Sequence, residues 1–452
     1  MLFLRLCCLA VLLLGCGGSQ PPTRPNLLFI AVDTLRADRA ADPRLMPRVA
    51  RLAREGVVFE QAFAHAPWTL PSFASMFSGQ LPPQHGAGGV ANQYFGLRAE
   101  TVTLAEQLRD AGWSTAAIVN VDFLGPDFGV CQGFEHLDAQ FALSNRSLRD
   151  ARGTTDAARA WLDQHADSPF ALFVHYFDPH AEYAPPEPFR SQHADPRDCD
   201  PGAPPIGTRE QIVAWKSGRE RLTPELAGRA ARLYDGEVAY TDSEIGRLLD
   251  DLGERGLLEN TLVVFTSDHG EEFLEHGGFE HGHTLYDELL HVPLLLHWPA
   301  RLKPERRSTA VGHVRLARTV CELLGAEPAA AFAAPGLLES SSGGEHPALL
   351  HAYGNFWGAP WEAQRDQSRK WIAIPQKGLG AREELYDYRA DPREQRNLLP
   401  GGAEAAEPLR RAQRELHERA AREQWRPGPP ARLAPETLKR LQNTGYAGEE
   451  PR

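Results

Sequence analysis

Residues 264–283 read VFTSDHGEEFLEHGGFEHGH. An apolar run, Thr261 to Phe265, leads into the pair Asp268-His269 and then into a loop dense in His, Glu and Gly. A buried strand that delivers ligand-type side chains at its carboxyl end is how α/β enzymes assemble metal sites. Asp268 and His269 are therefore candidate ligands for a divalent ion. His276, His281 and His283 lie within a short loop's reach of them. A solvated polar loop is the alternative, and the crowding of His and Gly weighs against it.

The same pattern recurs along the chain. Leu27 to Val32 is an apolar run closed by Asp33, and Phe170 to Phe177 is another, closed by Asp178. Ser114–Val119 and Val292–His297 read as further strands. Helical spacing marks Arg44–Arg54, Thr154–His165 and Leu222–Gly253, and Thr101–Ala111 predicts a helix stopped by Gly112. Fully apolar strands alternating with helices predict an α/β fold with a mixed, mostly parallel sheet between helices. Ligands gather at the carboxyl ends of such strands, so Asp33, Asp178 and Asp268 are expected to converge.

Pro-rich Tyr183–Ile206 reads as a surface excursion near that site, and Ala326–Pro347 as a connector. Short strand-like pieces follow at His351–Tyr353, Lys370–Ile374 and Glu384–Tyr388, then a helix over Pro408–Gln424. The expected division is a signal at 1–16, a tether at 17–25 and a catalytic domain at 26–330. A small C-terminal α+β subdomain at 345–400 and a helical, Pro- and Gly-containing tail at 401–452 complete it. No internal repeat is visible.

A chain of 452 residues has room for one large domain or two ordinary ones. The net charge of −12 argues against nucleic acid as a partner, since phosphate contacts need clustered cations. Lys is scarce, occurring only at 216, 303, 370, 377 and 439. At the N-terminus Arg5 precedes the apolar run Leu6–Leu14, which is too short to span a bilayer. It has the layout of a secretory signal. Leu13-Leu14-Gly15-Cys16 resembles a bacterial lipobox, which implies cleavage before Cys16, lipid on its thiol, and residence in the periplasm or cell envelope at a membrane surface. An ordinary signal cleaved near Ser19 is the alternative. Cys131, Cys199 and Cys321 make no disulfide framework, although an oxidising compartment allows one bridge that spacing alone does not choose, and none has metal-site spacing with another.

Residues 66–86 read APWTLPSFASMFSGQLPPQHG. This segment resembles the nucleophile segment of the sulfatase family, in the alkaline phosphatase superfamily, and places the nucleophile on Thr69. Asn26 through Asp33-Thr34-Leu35-Arg36-Ala37-Asp38 resembles the family's first metal-binding strand. Asp178-Pro179-His180 resembles its substrate-binding loop, Ser267-Asp268-His269-Gly270 its second metal pair, and His291-Val292-Pro293 the strand after it. Glu384-Leu385-Tyr386-Asp387, with Asp391-Pro392 and Asn397-Leu398, resembles its C-terminal hallmark. The resemblance covers nearly the whole mature chain and implies an alkaline-phosphatase-like fold.

The departures from the family carry equal weight. Sulfatases oxidise a Cys or Ser to formylglycine, and Thr69, with a methyl on Cβ, cannot become that aldehyde. The family's Arg is Phe73 here, the second Asp of its first metal pair is Thr34, and its Lys and His fall on Asn120 and Asp122. The spacing of the remaining Lys residues supplies neither active-site Lys. A Thr nucleophile is found instead in the superfamily's phosphodiesterases and head-group transferases. The resemblance thus implies hydrolysis of a phospho- or sulfo-ester of a small molecule, glycan or lipid, outside the cytoplasm. A head-group transferase and a non-catalytic binding protein are the rivals.

In this reading Asp33, Asp268, His269 and Thr69 hold a divalent ion, with Mn²⁺, Zn²⁺, Ca²⁺ and Mg²⁺ all open. The ion acidifies the Thr69 hydroxyl, which attacks phosphorus or sulfur. His281 or His283 protonates the leaving oxygen, and His180 contacts the transferred group. A second metal on Asp178, His180 and His281 or His283 is left open. Arg36 is expected on the transferred group or on a ligand carboxylate. A helix N-cap is the lesser alternative for Thr69 and is compatible with the nucleophile role, and Asp178 could cap or orient. Glu271 and Glu272 are expected to favour a helix N-terminus, and His85 to shape the turn with Gly86.

Overall fold

The computed structural model describes residues 24–443 apart from 91–92, 140–148, 200–202, 340–349, 355, 357 and 378. The signal segment and Cys16 lie outside the described residues. Eight strands make the central sheet. In chain order they are β1 (Asn26–Val32), β2 (Val57–Phe59), β3 (Ser114–Ile118), β4 (His136–Asp138), β5 (Phe170–Tyr176), β6 (Thr261–Ser267), β7 (Leu294–His297) and β8 (Glu305–Arg307). Their order across the sheet is β8-β2-β7-β6-β1-β5-β3-β4. β6, β1, β5, β3 and β4 are parallel, and β7 runs antiparallel between β6 and β2.

The apolar runs are strands because helices cover both faces. Every residue of β1, β5 and β6 is buried. Leu27, Phe29 and Ala31 join Phe173 and Val264 in one core, whereas Leu28, Ile30 and Val32 join Val174 and Phe265 in the other. That alternation is the period of two expected of a strand buried on both sides.

A four-stranded antiparallel sheet over Leu350–Gly354, Trp361–Arg365, Arg369–Gln376 and Leu379–Asp387 forms the C-terminal subdomain. A buried ionic cluster ties it to the central domain. Lys370 Nζ lies 2.7 Å from Asp287 Oδ1 and 2.8 Å from Glu394 Oε1, and Arg365 also pairs with Asp287.

The final segment is stitched down rather than loose. Gly428 N donates to Gly86 O at 2.8 Å, and Gly96 N to Pro429 O at 2.9 Å. A short helix, Pro435–Asn443, brings Arg440 to Asp122 at 2.7 Å. The sequence pattern showed a tail there. The returning segment folds because Leu433 and Leu441 reach the main core. No described helix is long and apolar enough to cross a membrane.

Candidate active site

The carboxyl ends of β1 and β6 lie side by side, because Val32 pairs with Ser267 in parallel register. Asp33 and Asp268 are therefore neighbours, and His269 follows. Ligand atoms of these three residues all lie within 4.8 Å of one another, and all three residues are fully buried. His269 Nε2 stands 3.7 Å from Asp33 Oδ1 and 3.3 Å from Asp268 Oδ2. His269 Nδ1 is taken by Gly270 O at 3.0 Å, which fixes the ring with Nε2 toward the carboxylates.

Three carboxylate oxygens here, Asp33 Oδ1 and Oδ2 and Asp268 Oδ2, are buried without a hydrogen-bond partner. Buried acceptors of that kind are costly unless a cation satisfies them. Two carboxylates and an imidazole are the donor set expected of a divalent-ion site. Burial pushes Asp33 upward, but the nearby imidazoles, His175 first with His180 and His269, outweigh it and hold it at about 2. Burial and the charge of Asp33 push Asp268 well up, and burial with His281 nearby holds His269 down at about 3.

Thr69 is the first residue of the helix Thr69–Ser78, and Trp68 occupies the N-cap position without a side-chain cap bond. The pure-cap reading of Thr69 therefore does not hold. Its hydroxyl lies 3.4 Å from His269 Nε2. Ser72 Oγ donates to Asp268 O at 2.6 Å, pinning the helix to the end of β6. The helix start also offers a positive potential to a developing oxyanion. Phe73, one turn on, is buried among Phe77, Phe173 and His175.

Beside this cluster stands a second one, His180, Glu280 and His281, with ligand atoms likewise within 4.8 Å of one another. The ring centres of His269 and His281 are 4.3 Å apart, and those of His180 and His281 are 4.9 Å apart. His281 Nδ1 meets Glu271 Oε1 at 2.8 Å, and Tyr183 OH donates to Glu271 Oε2 at 2.9 Å. Lys216, from the helix Arg209–Lys216, pairs with Glu280. Burial alone would push Glu280 up, but Lys216 and His281 hold it at about 2. Burial would lower His281, and Glu280 and Glu271 outweigh it and raise it.

Several expected residues are placed elsewhere. Asp178 does not converge with Asp33 and Asp268: its Oδ2 accepts from Ala151 N at 2.6 Å, capping the helix Ala151–His165. Burial and then Asp150 push it up to about 7. His283 Nε2 pairs with Glu272 Oε2 at 2.8 Å and stays outside both clusters. His276 pairs with Glu288 at 2.6 Å. Arg36 faces carboxylates, Asp38 at 3.0 Å and Glu275 at 2.5 Å, and so braces the loop after His269. No helix begins at Glu271 or Glu272; Glu272 lies in a two-residue strand paired with Phe279–Glu280. Asn120 is held by Thr154 and Arg149, and Asp122 by Arg440. His85 accepts from Ala87 N at 3.0 Å and shapes its turn as expected.

Sequence reasoning missed His175, Glu271, Glu280 and Lys216. His175 Nε2 is 3.3 Å from Asp33 Oδ2 and buttresses it from β5. The signal for His175 was a lone imidazole in an otherwise apolar strand. Thr34, beside Asp33, has φ +55 and so places its backbone N–H 3.3 Å from Asp268 Oδ1. Such a φ is strained for a β-branched residue.

A sulfatase family model matches residues 25–326. A choline-sulfatase of Rhizobium meliloti is 25% identical over 430 residues, covering 83% of this chain and 82% of that protein. A protein solved in complex with its substrate D-glucosamine-2-N,6-O-disulfate superposes with a TM-score of 0.69 at 21% identity, over 88% of this chain and 98% of its own. A phosphonate monoester hydrolase from Silicibacter pomeroyi gives 0.67 at 20% identity, over 88% and 95%.

Proposed function

This chain belongs to the sulfatase family and is an ester-hydrolysing enzyme, and we propose that it cleaves phospho- or sulfo-esters with Thr69 as nucleophile and a divalent ion on Asp33, Asp268 and His269. The observation that carries the reading is the set of partnerless carboxylate oxygens on Asp33 and Asp268, next to His269 and the Thr69 hydroxyl. A bound divalent ion would supply a Lewis acid that lowers the pKa of a hydroxyl and neutralises charge on the transferred group.

The chain's own residues do the rest. Thr69 presents Oγ1 from a helix N-terminus and gives up its proton as the Oγ1–phosphorus or Oγ1–sulfur bond forms. The bond to the leaving oxygen breaks, and that oxygen takes up a proton. Water then cleaves the Thr69 ester and restores the hydroxyl. His175 holds Asp33 in place, and Ser72 holds the helix against Asp268. We assign His180 and His281 to the leaving-group side, since the His281 ring stands against His269 and the His180 ring against His281.

Phosphodiesters and phosphonate monoesters are favoured over sulfate esters, because Thr69 excludes formylglycine and Phe73 leaves no Arg beside the nucleophile. The relatives' names support small-molecule and glycan esters as the class. Export and a lipid anchor at Cys16, and the division at about 330 into catalytic and C-terminal parts, are part of the same proposal. The test is turnover of matched p-nitrophenyl phosphodiester, phosphonate, phosphate and sulfate esters, after chelation and re-addition of single metals. Metal-dependent cleavage of phosphorus esters that Thr69→Ala reduces by about a thousandfold or more is expected. Undiminished turnover by Thr69→Ala would sink the assignment.

A further inference from the structure

The spacing inside the second cluster is the informative quantity. His281 Nε2 and Glu280 Oε1 are 3.9 Å apart, beyond a hydrogen bond. In the first cluster His269 Nε2 stands 3.7 Å and 3.3 Å from its carboxylates. Metal–ligand bonds to His and carboxylate are about 2.0–2.2 Å, so two ligands of one ion sit at just such separations. Paired side chains that need only a proton between them close to a shorter distance, as His281 and Glu271 do at 2.8 Å.

The outer contacts point the same way. A ligating imidazole usually directs its second nitrogen to a carbonyl or carboxylate, which fixes its tautomer and orientation. His180 Nδ1 meets Ala181 O at 2.8 Å. His281 Nδ1 meets Glu271, itself held by Tyr183. His269 in the first cluster does the same with Gly270 O. Glu280 carries a φ of +67, a conformation that costs an L-residue free energy. That backbone turns its carboxylate toward His281 with one oxygen, while Lys216 takes the other. All three residues of the cluster are buried.

We propose that His180, Glu280 and His281 form a second metal centre, taking a borderline divalent cation of the Mn²⁺ or Zn²⁺ kind, beside the centre on Asp33, Asp268 and His269. The inference rests on that first assignment. It makes the two leaving-group-side imidazoles ligands rather than proton donors, and it uses Glu280 in place of the strand-end Asp178.

The test counts ions on the full chain. The protein is stripped with EDTA, dialysed, and titrated with Mn²⁺ alone and Zn²⁺ alone, with bound metal read by elemental analysis. Wild type is expected to hold about two equivalents, and Glu280→Gln and His180→Asn about one each. Asp33→Asn keeps the ion of the second cluster. The Mn²⁺ EPR spectrum of wild type should show spin–spin broadening that both second-cluster variants lose. A circular-dichroism melt of each variant checks its fold, and His180→Asn serves if Glu280→Gln does not fold. One equivalent in wild type, removed by Asp33→Asn and untouched by Glu280→Gln and His180→Asn, overturns the second centre alone. No bound metal in wild type overturns the first centre with it.

Discussion

Asp268→Asn should make the metal-free protein more stable while removing its metal. Asp268 Oδ1 accepts from Thr34 N at 3.3 Å and His269 N at 2.9 Å, and an asparagine oxygen keeps both bonds. The new amide donor replaces Oδ2, which has no partner, and faces Asp33 oxygens that have none either. Two carboxylates no more than 4.8 Å apart repel by about 3.5 kcal/mol at an effective dielectric constant of about 20. Wild type escapes part of this by holding a proton, since burial and Asp33 push Asp268 up. A raised folded-state pKa gives stability that is present below the unfolded value and lost as pH rises. The advantage of the variant should therefore grow from pH 5 to pH 8, reaching about 2–3 kcal/mol in EDTA. With Mn²⁺ at a hundred times its dissociation constant, wild type gains about 2.7 kcal/mol and the variant little, so the order closes or inverts. Urea unfolding in EDTA and in Mn²⁺ at both pH values measures this. A variant less stable than wild type in EDTA at pH 8 would refute the reasoning, because it would mean that the two carboxylates are compensated without an ion.

Three other outcomes follow from the fold. Asp178 rises to about 7, burial first and Asp150 second, so its contribution to stability is full below about 4 and is lost as pH climbs through 7. Asp178→Asn, whose oxygen still accepts from Ala151 N, should flatten the stability–pH curve in that window by up to about 1.4 kcal/mol per pH unit, read by denaturant titration. Phe73→Ala should cost about 3–5 kcal/mol in the same assay, and Phe73→Arg more, because the ring sits in a closed aromatic cluster. Lys370→Met takes from Glu394 its paired cation and leaves Asp287 to Arg365 alone in the buried ionic cluster, and should cost about 3–5 kcal/mol, with the C-terminal sheet first to lose amide-exchange protection.

The sheet was legible because its strands are buried on both faces, which leaves uninterrupted apolar runs. Asp33, Asp268 and His269 were legible for a related reason: parallel register carries strand-end residues to one edge. Asp178 shows the limit of that rule. A strand-end acid can turn to the site or to the nearest helix N-terminus, and the open amide of Ala151 took it. Glu280 was hidden because its direction depends on a backbone φ of +67 that no periodicity encodes. Lys216 arrives from an excursion whose docking is set by packing, with Trp215 against Phe279 at 5.0 Å. Charge alone put Arg36 near anions, and the structure shows these to be the protein's own carboxylates.

The stitched final segment bears on the order in which the molecule is made. Arg98 binds the carbonyls of Arg426 and Pro427, more than 300 positions later, and Arg440 reaches back to Asp122 across 318 residues. A ribosome delivers Gly86, Arg98 and Asp122 long before those partners exist. Until residues 426–440 emerge, Gly86, Arg98 and Asp122 lack these partners, and the unfinished chain exposes apolar surface that Leu433 and Leu441 later cover. Contacts this distant in sequence form late and slowly. The nascent chain thus passes through synthesis with that surface still uncovered.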